Sequence, residues 1–545
     1  MKKRMASVML AAMVAGTGIM TGCGNTADTK ETTTTTAAAE TENKDTADTK
    51  TANETKTPKY IFMFIGDGMS YPQVQLTNYF KSANAAKESS AKVTVDGEEK
   101  SILSSKNNLV MMDFPVMGSA QTYDSTSFAP DSASTATSIA TGHKTWSGSI
   151  NVSEDFSEKY ETIAEKLKKQ KDYKIGVVSS VNINHATPAA FYAHQASRNS
   201  YYEIGQELVD SGFDYFAGGG LKDATGENED QKDMYKIAEE AGYKVIKTQK
   251  EAEALTKEDG KALVIDEHLA DGDAMAYDMD LKDGEWALAD YVQKGIDVLD
   301  NENGFFMMVE GGKIDWACHA NDAAATISDT LALDDAVSKA VDFYNEHPDE
   351  TLILVTGDHE TGGLTIGYAG TNYDTFLTNF NSQKISYAKF DSDYVANYKE
   401  KKTDFDTVMK DVTELFGLTA PASSTTSTEK KDSADKHPES EDAGSLEMTE
   451  YEYGLLKAAY KTTMERTGEE EEFPQDEYVK YGSYEPLTVT ITHILNNKSG
   501  VNFGSYSHTG LPVEVLVQGA GQDEFDGYYD NTEIYNKLAA LTGVK

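Results

Sequence analysis

The stretch KYIFMFIGDG, residues 59–68, is an apolar and aromatic run that stops abruptly at Gly66-Asp67-Gly68. A run without alternating polar residues is typical of a strand that is buried on both faces, as in a parallel sheet covered by helices. Four similar runs follow along the chain: KIGVVSS (174–180), GFFMMVE (304–310), TLILVTG (351–357) and PVEVLVQG (512–519).

Segments with helical periodicity lie between these runs. In YETIAEKLKK (160–169), a stripe of apolar residues from Tyr160 to Leu167 falls on one side of a helix, and DTLALDDAVSKAVDFY (329–344) has a similar pattern. Strands that alternate with helices predict an α/β fold with a mainly parallel central sheet and helices on both faces.

This alternation stops in one long segment. Residues 371–479 are rich in Tyr, Lys, Asp and Glu and are predicted to form an insertion or cap, whereas 58–370 and 480–545 form the sheet domain. The stretch at about 422–445 has almost nothing apolar to bury, so it is predicted to be a disordered loop inside the insertion. A smaller insertion is expected at 81–108.

The N-terminus has the features of an export signal. A basic start and an apolar run end in small residues at Cys23, and the run is too short and too rich in Ala and Gly for a permanent span. Met20-Thr21-Gly22-Cys23 resembles a bacterial lipoprotein cleavage box. Residues 1–22 are therefore predicted to be a lipoprotein signal peptide, with plain cleavage as the alternative. Lipidated Cys23 would anchor the protein to the outer face of the membrane or the cell envelope through a flexible tether, 23–57.

The chain carries a large negative charge. It has 91 Asp and Glu against 49 Lys and Arg, which gives a formal net charge of −42. This field repels nucleic acid and anionic lipid, so we expect no nucleic-acid partner and membrane contact only through the lipid anchor. It also repels a phosphate-bearing substrate unless cations in the site reverse the local sign. Arginine occurs only at Arg4, Arg198 and Arg466, so Arg198 is either a residue with a special role or a surface residue.

Carboxylates and imidazoles recur at the ends of the predicted strands. They are Asp67, Glu310, Asp315, His319, Asp358, His359 and, in a late segment, His508. Ligands of open parallel sheets bind beyond the carboxyl ends of the strands. Each residue alone could be a turn residue or a structural histidine, but their repetition indicates a metal site. Mixed Asp and His ligands suit zinc, and oxygen ligands suit magnesium. Asp315 and His319 are four residues apart and can face one ion.

The stretch DSASTATSIATG, residues 131–142, is either low-complexity filler or the setting for one reactive serine. Ser132 would lie at the N-terminus of a short helix, where free N–H groups and the helix dipole favour a phosphate. It has no adjacent histidine in sequence, so a metal would have to lower the pKa of its hydroxyl. A serine that only caps the helix is the alternative.

Together these segments resemble the alkaline phosphatase family. The resemblance covers about 58–370 and 500–520. A single motif could arise by chance, but six motifs in the order found in the family are not expected to arise in that way. The motifs are IGDGM (65–69), DSASTATSIATG (131–142), NHATPAAFYAHQASR (184–198), VEGGKIDWACHAND (309–322), TGDHETGG (356–363) and HTG (508–510).

The resemblance implies two zinc ions, one magnesium ion and a role for each residue. Ser132 is implied to be the nucleophile that forms a phosphoserine, and Arg198 to grip two phosphate oxygens with its planar guanidinium. The implied ligands are Asp67, which bridges one zinc and the magnesium; Asp358 and His359, which complete that zinc site beside Ser132; Asp315, His319 and His508 on the second zinc; and Thr187 and Glu310 on the magnesium.

Two of these positions vary within the family. His185 lies close to the implied magnesium site, and Trp316 lies near the phosphate, where other members carry Lys or His. They leave the identity of the third metal open, and cobalt can replace zinc. Thr187 is predicted to be a helix N-cap. A straight helix from there would carry residue 198 about 16 Å away, so either the helix ends early or the Arg198 side chain folds back. Cys318 is expected to be a small buried residue.

The resemblance thus implies a homodimeric phosphomonoesterase that acts on small phosphate monoesters at alkaline pH and releases inorganic phosphate. The motifs specify the phosphate and nothing of the alcohol. One alternative is a phosphodiesterase or sulfatase of the same superfamily, although Ser132 lacks the x-Pro-x-Arg context of a sulfatase. The other is a surface lipoprotein that binds phosphate compounds or metals without turnover.

Overall fold

The computed structural model describes residues 57–88, 92–95, 98–101, 103, 109–422, 444–467 and 473–545. The predicted signal peptide, Cys23 and nearly all of the tether lie outside the described residues, as does most of the predicted loop at about 422–445. Among the helices in the described ranges, none combines the length and the apolar character needed to span a membrane.

The strands and helices alternate along most of the chain. The strands are β1 (Tyr60–Gly66), β2 (Lys92–Val95), β3 (Glu98–Ser101), β4 (Val116–Gln121), β5 (Lys174–Asn182), β6 (Tyr215–Gly219), β7 (Lys244–Ile246), β8 (Ala262–Ile265), β9 (Phe305–Gly311), β10 (Thr351–Gly357), β11 (Glu360–Thr361), β12 (Thr365–Ile366), β13 (Val501–Asn502), β14 (His508–Thr509), β15 (Val513–Gly519) and β16 (Gly527–Asp530). The α-helices are α1 (Tyr71–Glu88), α2 (Ser132–Thr141), α3 (Ile163–Lys171), α4 (Ala186–Ala189), α5 (Tyr201–Ser211), α6 (Met234–Glu240), α7 (Gln249–Glu253), α8 (Leu288–Leu299), α9 (Lys313–His319), α10 (Ala323–Glu346), α11 (Tyr387–Phe390), α12 (Ala396–Lys401), α13 (Phe405–Phe416), α14 (Glu450–Glu465), α15 (Gln475–Tyr481), α16 (Pro486–Lys498) and α17 (Thr532–Thr542).

A ten-stranded sheet with the order β16-β4-β15-β10-β1-β9-β5-β6-β8-β7 forms the centre of the fold. Neighbouring strands are parallel except at β15, which is antiparallel to both β10 and β4. The five predicted runs correspond to β1, β5, β9, β10 and β15. The predicted α/β fold with a mainly parallel central sheet is therefore confirmed.

Side chains of β1 alternate between two hydrophobic cores, one on each face of the sheet. Phe62 and Phe64 belong to the core that includes residues of α8 and α10, and Met63 and Ile65 belong to the core that includes residues of α2 and α3. Every residue of β1 is buried. Because both faces are covered, no position of this strand favours a polar side chain, which explains the unbroken apolar run.

Three central strands end at the same level. Gly66 of β1 pairs in register with Gly357 of β10 and with Gly311 of β9. The residues at these strand ends, among them Asp67 and Asp358, therefore lie along one edge of the sheet. This register brings together side chains that are almost 300 positions apart in sequence.

The segment 371–479 has a hydrophobic cluster of its own. Phe390, Val412 and Leu456 lie in this cluster together with Leu487 of α16. Helix α16 lies beyond residue 479 but contributes to the same cluster, so the cluster does not mark the end of the insertion at 479. The boundaries of the insertion therefore stay a prediction.

Helix α3 begins later than its apolar pattern predicts. Its first residue is Ile163, and Tyr160 lies outside the helix. A reciprocal capping box sets this start, since the Thr162 N–H donates to the Glu165 carboxylate at 2.8 Å and the Glu165 N–H donates to the Thr162 hydroxyl at 3.1 Å.

Candidate active site

Helix α2 places Ser132 at its first position, as the sequence predicts. Asp131 is the N-cap, and its carboxylate accepts a hydrogen bond from the Ser134 N–H at 3.1 Å. The helix ends at Gly142, which adopts a left-handed conformation with φ 76°. A Cβ at this glycine would lie 2.5 Å from Cδ1 of Tyr535. All residues of α2 are buried, so small Ala, Ser and Thr side chains here reflect close packing and not low-complexity filler.

The Ser132 hydroxyl faces the first of three groups of potential metal ligands. Its Oγ lies 3.2 Å from Nε2 of His359 and 3.3 Å from Oδ1 of Asp67. These two residues and Asp358 have ligand atoms that lie within 4.8 Å of one another. Thr135 on α2 donates to Asp358 at 3.2 Å, so the helix that carries the serine also positions one of the ligands.

A second group contains Asp315, His359 and His508. Nε2 of His319 is adjacent, 3.1 Å from Nε2 of His508 and 3.3 Å from Asp315. Nδ1 of His319 and Nδ1 of His508 each contact a backbone carbonyl oxygen. A carbonyl only accepts, so each Nδ1 carries a hydrogen and each Nε2 is the ring nitrogen that faces the neighbouring ligand atoms. This is how metal-binding imidazoles are usually oriented.

The third group consists of Asp67, His185 and Glu310. Thr187 donates to Asp67 at 3.3 Å, and Ser179 donates to one oxygen of Glu310. Nδ1 of His185 and Oε1 of Glu310 are buried and have no hydrogen-bond partner among the described residues. Two orphaned ligand atoms beside a shared carboxylate fit a bound cation.

Burial disfavours the ionised form of every carboxyl group in this cluster, and in three of the four it raises the pKa. Burial, followed by repulsion from neighbouring carboxylates, raises the pKa of Asp67 well above its ordinary value. Burial is also the main cause that raises the pKa of Glu310 to about 8 and that of Asp358 to about 7. Burial acts in the same direction on Asp315, but the charge of His319 outweighs it and holds the pKa of Asp315 well below its ordinary value. Bound cations would stabilise the ionised forms of all four carboxylates.

Three imidazoles of the cluster are poised as neutral ligands. Burial lowers the pKa of His185 to about 3 and lowers the pKa of His359 and His508. A neutral imidazole has a free lone pair, which a metal ion requires. His319 differs: burial opposes its charge, but the Asp315 carboxylate raises its pKa to about 9.

Arg198 reaches Asp131, the residue before Ser132, because the helix before it is short. Helix α4 has only four residues, and His185, not Thr187, is its N-cap, which corrects the sequence prediction. The chain then turns back, and the Arg198 N–H donates to the Gly148 carbonyl at 2.7 Å. The guanidinium donates to the Asp131 carboxylate at 2.9 Å. The early end of the helix, one of the two routes expected from the sequence, therefore brings Arg198 beside Ser132.

Helix α9 presents two half-buried residues, Trp316 and His319, while its other members are buried. The Trp316 ring meets the His185 ring edge-on at 5.9 Å, and Nζ of Lys313 lies 4.4 Å from the Trp316 ring centre. Cys318 is fully buried, as predicted for a small packing residue.

Two positioning residues were not identified from the sequence. Asp131 was placed only as the residue before Ser132, yet it also holds Arg198. Thr361 donates to Asp315 at 2.6 Å and lies 3.2 Å from Nδ1 of His359, so it connects two of the ligand groups. Both lie inside the quoted motifs, and the Asp-Ser pair at a helix start is itself a capping signal.

Comparison with known proteins gives consistent results. A sequence model of the alkaline phosphatase family, described as "Alkaline phosphatase", matches residues 58–544. The chain is 29% identical over 511 residues to alkaline phosphatase 4 of Bacillus subtilis, covering 92% of each chain, and 27% identical over 487 residues to alkaline phosphatase 3 of the same organism, covering 87% of each. The cold-active alkaline phosphatase of the psychrophile Shewanella sp. superposes with a TM-score of 0.66 at 25% identity, covering 89% of this chain and 99% of that one. The alkaline phosphatase of Thermus thermophilus shares the fold, with a TM-score of 0.68 at 20% identity over 90% and 92% of the two chains.

Proposed function

The chain belongs to the alkaline phosphatase family of phosphate-monoester hydrolases, and on that premise we propose that it forms a phosphoserine at Ser132. The observation that carries this proposal is the position of the Ser132 hydroxyl. It lies at the N-terminus of a buried helix, 3.2 Å from His359 and 3.3 Å from Asp67, two members of one potential metal site.

The three ligand groups fit the metal set that the family resemblance implies. Asp67, Asp358 and His359 would hold one zinc ion, and Asp315, His319 and His508 a second, with cobalt as a substitute. The third group, Asp67, His185, Thr187 and Glu310, would hold magnesium. Bound divalent ions would attract the phosphate and make the Ser132 hydroxyl more acidic.

In this proposal, Ser132 would attack the phosphate and Arg198 would bind it. Ser132 releases its hydroxyl proton to solvent and its Oγ attacks phosphorus, and the bond from phosphorus to the ester oxygen breaks as the Oγ–P bond forms. The alcohol leaves and takes a proton from solvent. A water oxygen then attacks the phosphoserine, the Oγ–P bond breaks, and the products are inorganic phosphate and the free serine. Arg198 binds two phosphate oxygens, and its contact with Asp131 orients the guanidinium for this.

A serine pair on the same helix tests the nucleophile. We expect Ser132→Ala to abolish p-nitrophenyl phosphate hydrolysis and to prevent acid-stable labelling by radioactive phosphate. Ser138→Ala is the matched control, because Ser138 is also buried in α2 but bonds only to the Ser134 carbonyl. Undiminished turnover by Ser132→Ala would refute the proposal.

Metal removal tests the ligand groups. Protein treated with EDTA should lose activity, and zinc, cobalt or magnesium, added singly and together, should identify the set that restores it above about pH 8. Tight phosphate binding without turnover under every metal set would instead favour a binding lipoprotein, and turnover of diesters alone would favour a phosphodiesterase.

We further propose that lipidated Cys23 anchors the protein to the cell envelope and that the protein is a homodimer. Support for the anchor is the cleavage-box sequence, and support for the dimer is family membership. Radiolabelled palmitate should label the wild-type protein but not Cys23→Ala, and light scattering of a soluble form should give twice the chain mass. An unlabelled wild-type protein would rule out the anchor, and a mass of one chain would rule out the dimer.

A further inference from the structure

We propose that Trp316, Tyr484 and Tyr506 form the binding site for the alcohol part of the substrate, and that this site favours phosphate monoesters whose alcohol carries an aromatic or heteroaromatic ring. The inference rests on the proposed function, because it takes the Asp315, His319 and His508 group as the side of the cleft that faces the leaving alcohol.

Helix α9 carries an aromatic residue, Trp316, close to His319 in sequence. Trp316 and His319 are three residues apart, so they share one face of the helix. They are also the two residues of α9 that are not buried. An alcohol that leaves beside His319 would therefore lie on the helix face that carries Trp316.

Two tyrosines continue this surface around His319. Nδ1 of His319 donates to the Tyr506 carbonyl at 2.7 Å, which fixes Tyr506 directly beside the histidine. The Tyr506 ring lies 6.1 Å from the Tyr484 ring at an angle of 32°. Tyr484 and Trp316 both pack on one small cluster that includes Tyr387. We call these three half-buried residues the aromatic wall, in which Tyr484 contacts Tyr506 and shares a packing cluster with Trp316.

The position of Tyr484 is held by one of the three arginines of the chain. Arg466 donates to the Tyr484 carbonyl at 2.6 Å and to the Glu477 carboxylate at 2.9 and 2.6 Å. The Tyr484 ring also meets the Tyr387 ring edge-on at 5.9 Å. Because these contacts already restrict Tyr484, its side chain loses little conformational entropy when a flat ring of the substrate packs on it.

Neither arginine among the described residues is free to bind a second anionic group. Burial and then the charges of Asp315 and Asp271 raise the pKa of Tyr484 above its ordinary value, so two carboxylates act on this ring. Among the described residues, the arginines are Arg198, assigned to the phosphate, and Arg466, already paired with Glu477. Aromatic pairing needs no charge and discriminates a ring from a saturated group of similar size.

Benzyl phosphate and cyclohexylmethyl phosphate test the proposal, because both are esters of primary alcohols of similar size and differ in aromaticity. For the wild-type holoenzyme we expect kcat/KM to be about three- to tenfold higher for benzyl phosphate. Tyr484→Leu should lower kcat/KM for benzyl phosphate more than for ethyl phosphate and bring the ratio close to one, and Tyr484→Phe should keep the ratio. Tyr451→Leu is the matched control, since Tyr451 is 75% exposed on α14.

A wild-type ratio near one would overturn the inference without any variant, so the test does not depend on the folding of Tyr484→Leu. An equal fall for all three esters in Tyr484→Leu would also overturn it, because it would make Tyr484 a structural residue. These outcomes leave the proposed function standing. Absence of hydrolysis of every monoester by the metal-loaded wild type would instead refute the proposed function.

Discussion

The buried acids of the site predict that the metal-free protein becomes less stable as the pH rises. Glu310 has an ordinary pKa of 4.5, which burial raises to about 8 in the folded protein. A carboxyl group whose pKa is raised by folding binds its proton more tightly in the folded state. Its stabilisation is therefore complete below about pH 4.5 and is lost as the pH rises to about 8.

The size of this loss follows from the shift. At about 1.4 kcal/mol per pKa unit, the shift of Glu310 corresponds to about 5 kcal/mol in the free energy of unfolding. Asp67 and Asp358 shift in the same direction, but the three groups repel one another and their contributions do not add. We therefore expect these three groups together to account for a loss of the order of 5 kcal/mol, which is a large part of the stability of a typical protein.

Denaturant unfolding of EDTA-treated protein at about pH 5 and about pH 8.5 measures this effect. Glu310→Gln, which is neutral at both pH values, should reduce the pH dependence, and metal loading should also reduce it because it pairs the ionised carboxylate. Glu514→Gln is the matched control: Glu514 is also buried, its two carboxylate oxygens have no hydrogen-bond partner among the described residues, and burial raises its pKa to about 8. It lies outside the three ligand groups, so metal should not remove its contribution. The reasoning would be refuted if the stability of the metal-free protein stayed constant or increased between these pH values. It would also be refuted if the unfolding free energy of Glu310→Gln changed with pH as steeply as that of the wild type.

Two further predictions concern positioning. Thr361→Val keeps the shape of the side chain but removes the hydroxyl that donates to Asp315 at 2.6 Å. The affinity of the protein for zinc, measured by competition with a chelator, should fall about 10- to 100-fold, and an unchanged affinity would contradict a positioning role for Thr361. Gly142→Ala should lower the thermal unfolding midpoint more than Gly148→Ala. Both glycines have positive φ, but only at Gly142 would the new Cβ collide with Tyr535, at 2.5 Å. Equal shifts of the midpoint would show that backbone strain alone matters.

The central strands were predictable because their environment is uniform. A strand such as β1 is buried at every position, so its sequence shows its state without knowledge of its neighbours. Strand β4, VMGSAQ, lies second from one edge of the sheet and is only partly buried, and its mixed composition gives no such signal. The register that places Gly66 level with Gly311 and Gly357 depends on pairing between distant segments, which no local pattern contains.

The site was predictable where a motif states the chemistry and unpredictable where tertiary contacts set the geometry. Ser132 at a helix start could be inferred from local signals. The approach of Arg198 to Asp131 could not, because it depends on where α4 ends and on a turn back to Gly148. The contact between His319 and Tyr506 spans 187 positions, so the aromatic wall is equally invisible in the sequence.

The charge balance of the site connects metal binding to phosphate binding. The three ligand groups contain four carboxylates, Asp67, Glu310, Asp315 and Asp358, in a chain with a net charge of −42. Against them stands one guanidinium, that of Arg198, which already pairs with Asp131. The protein alone therefore repels a phosphate dianion, and the cations that relieve the repulsion among the carboxylates also create the attraction for the phosphate. Because linkage is reciprocal, phosphate should tighten metal binding by the same factor by which metal tightens phosphate binding.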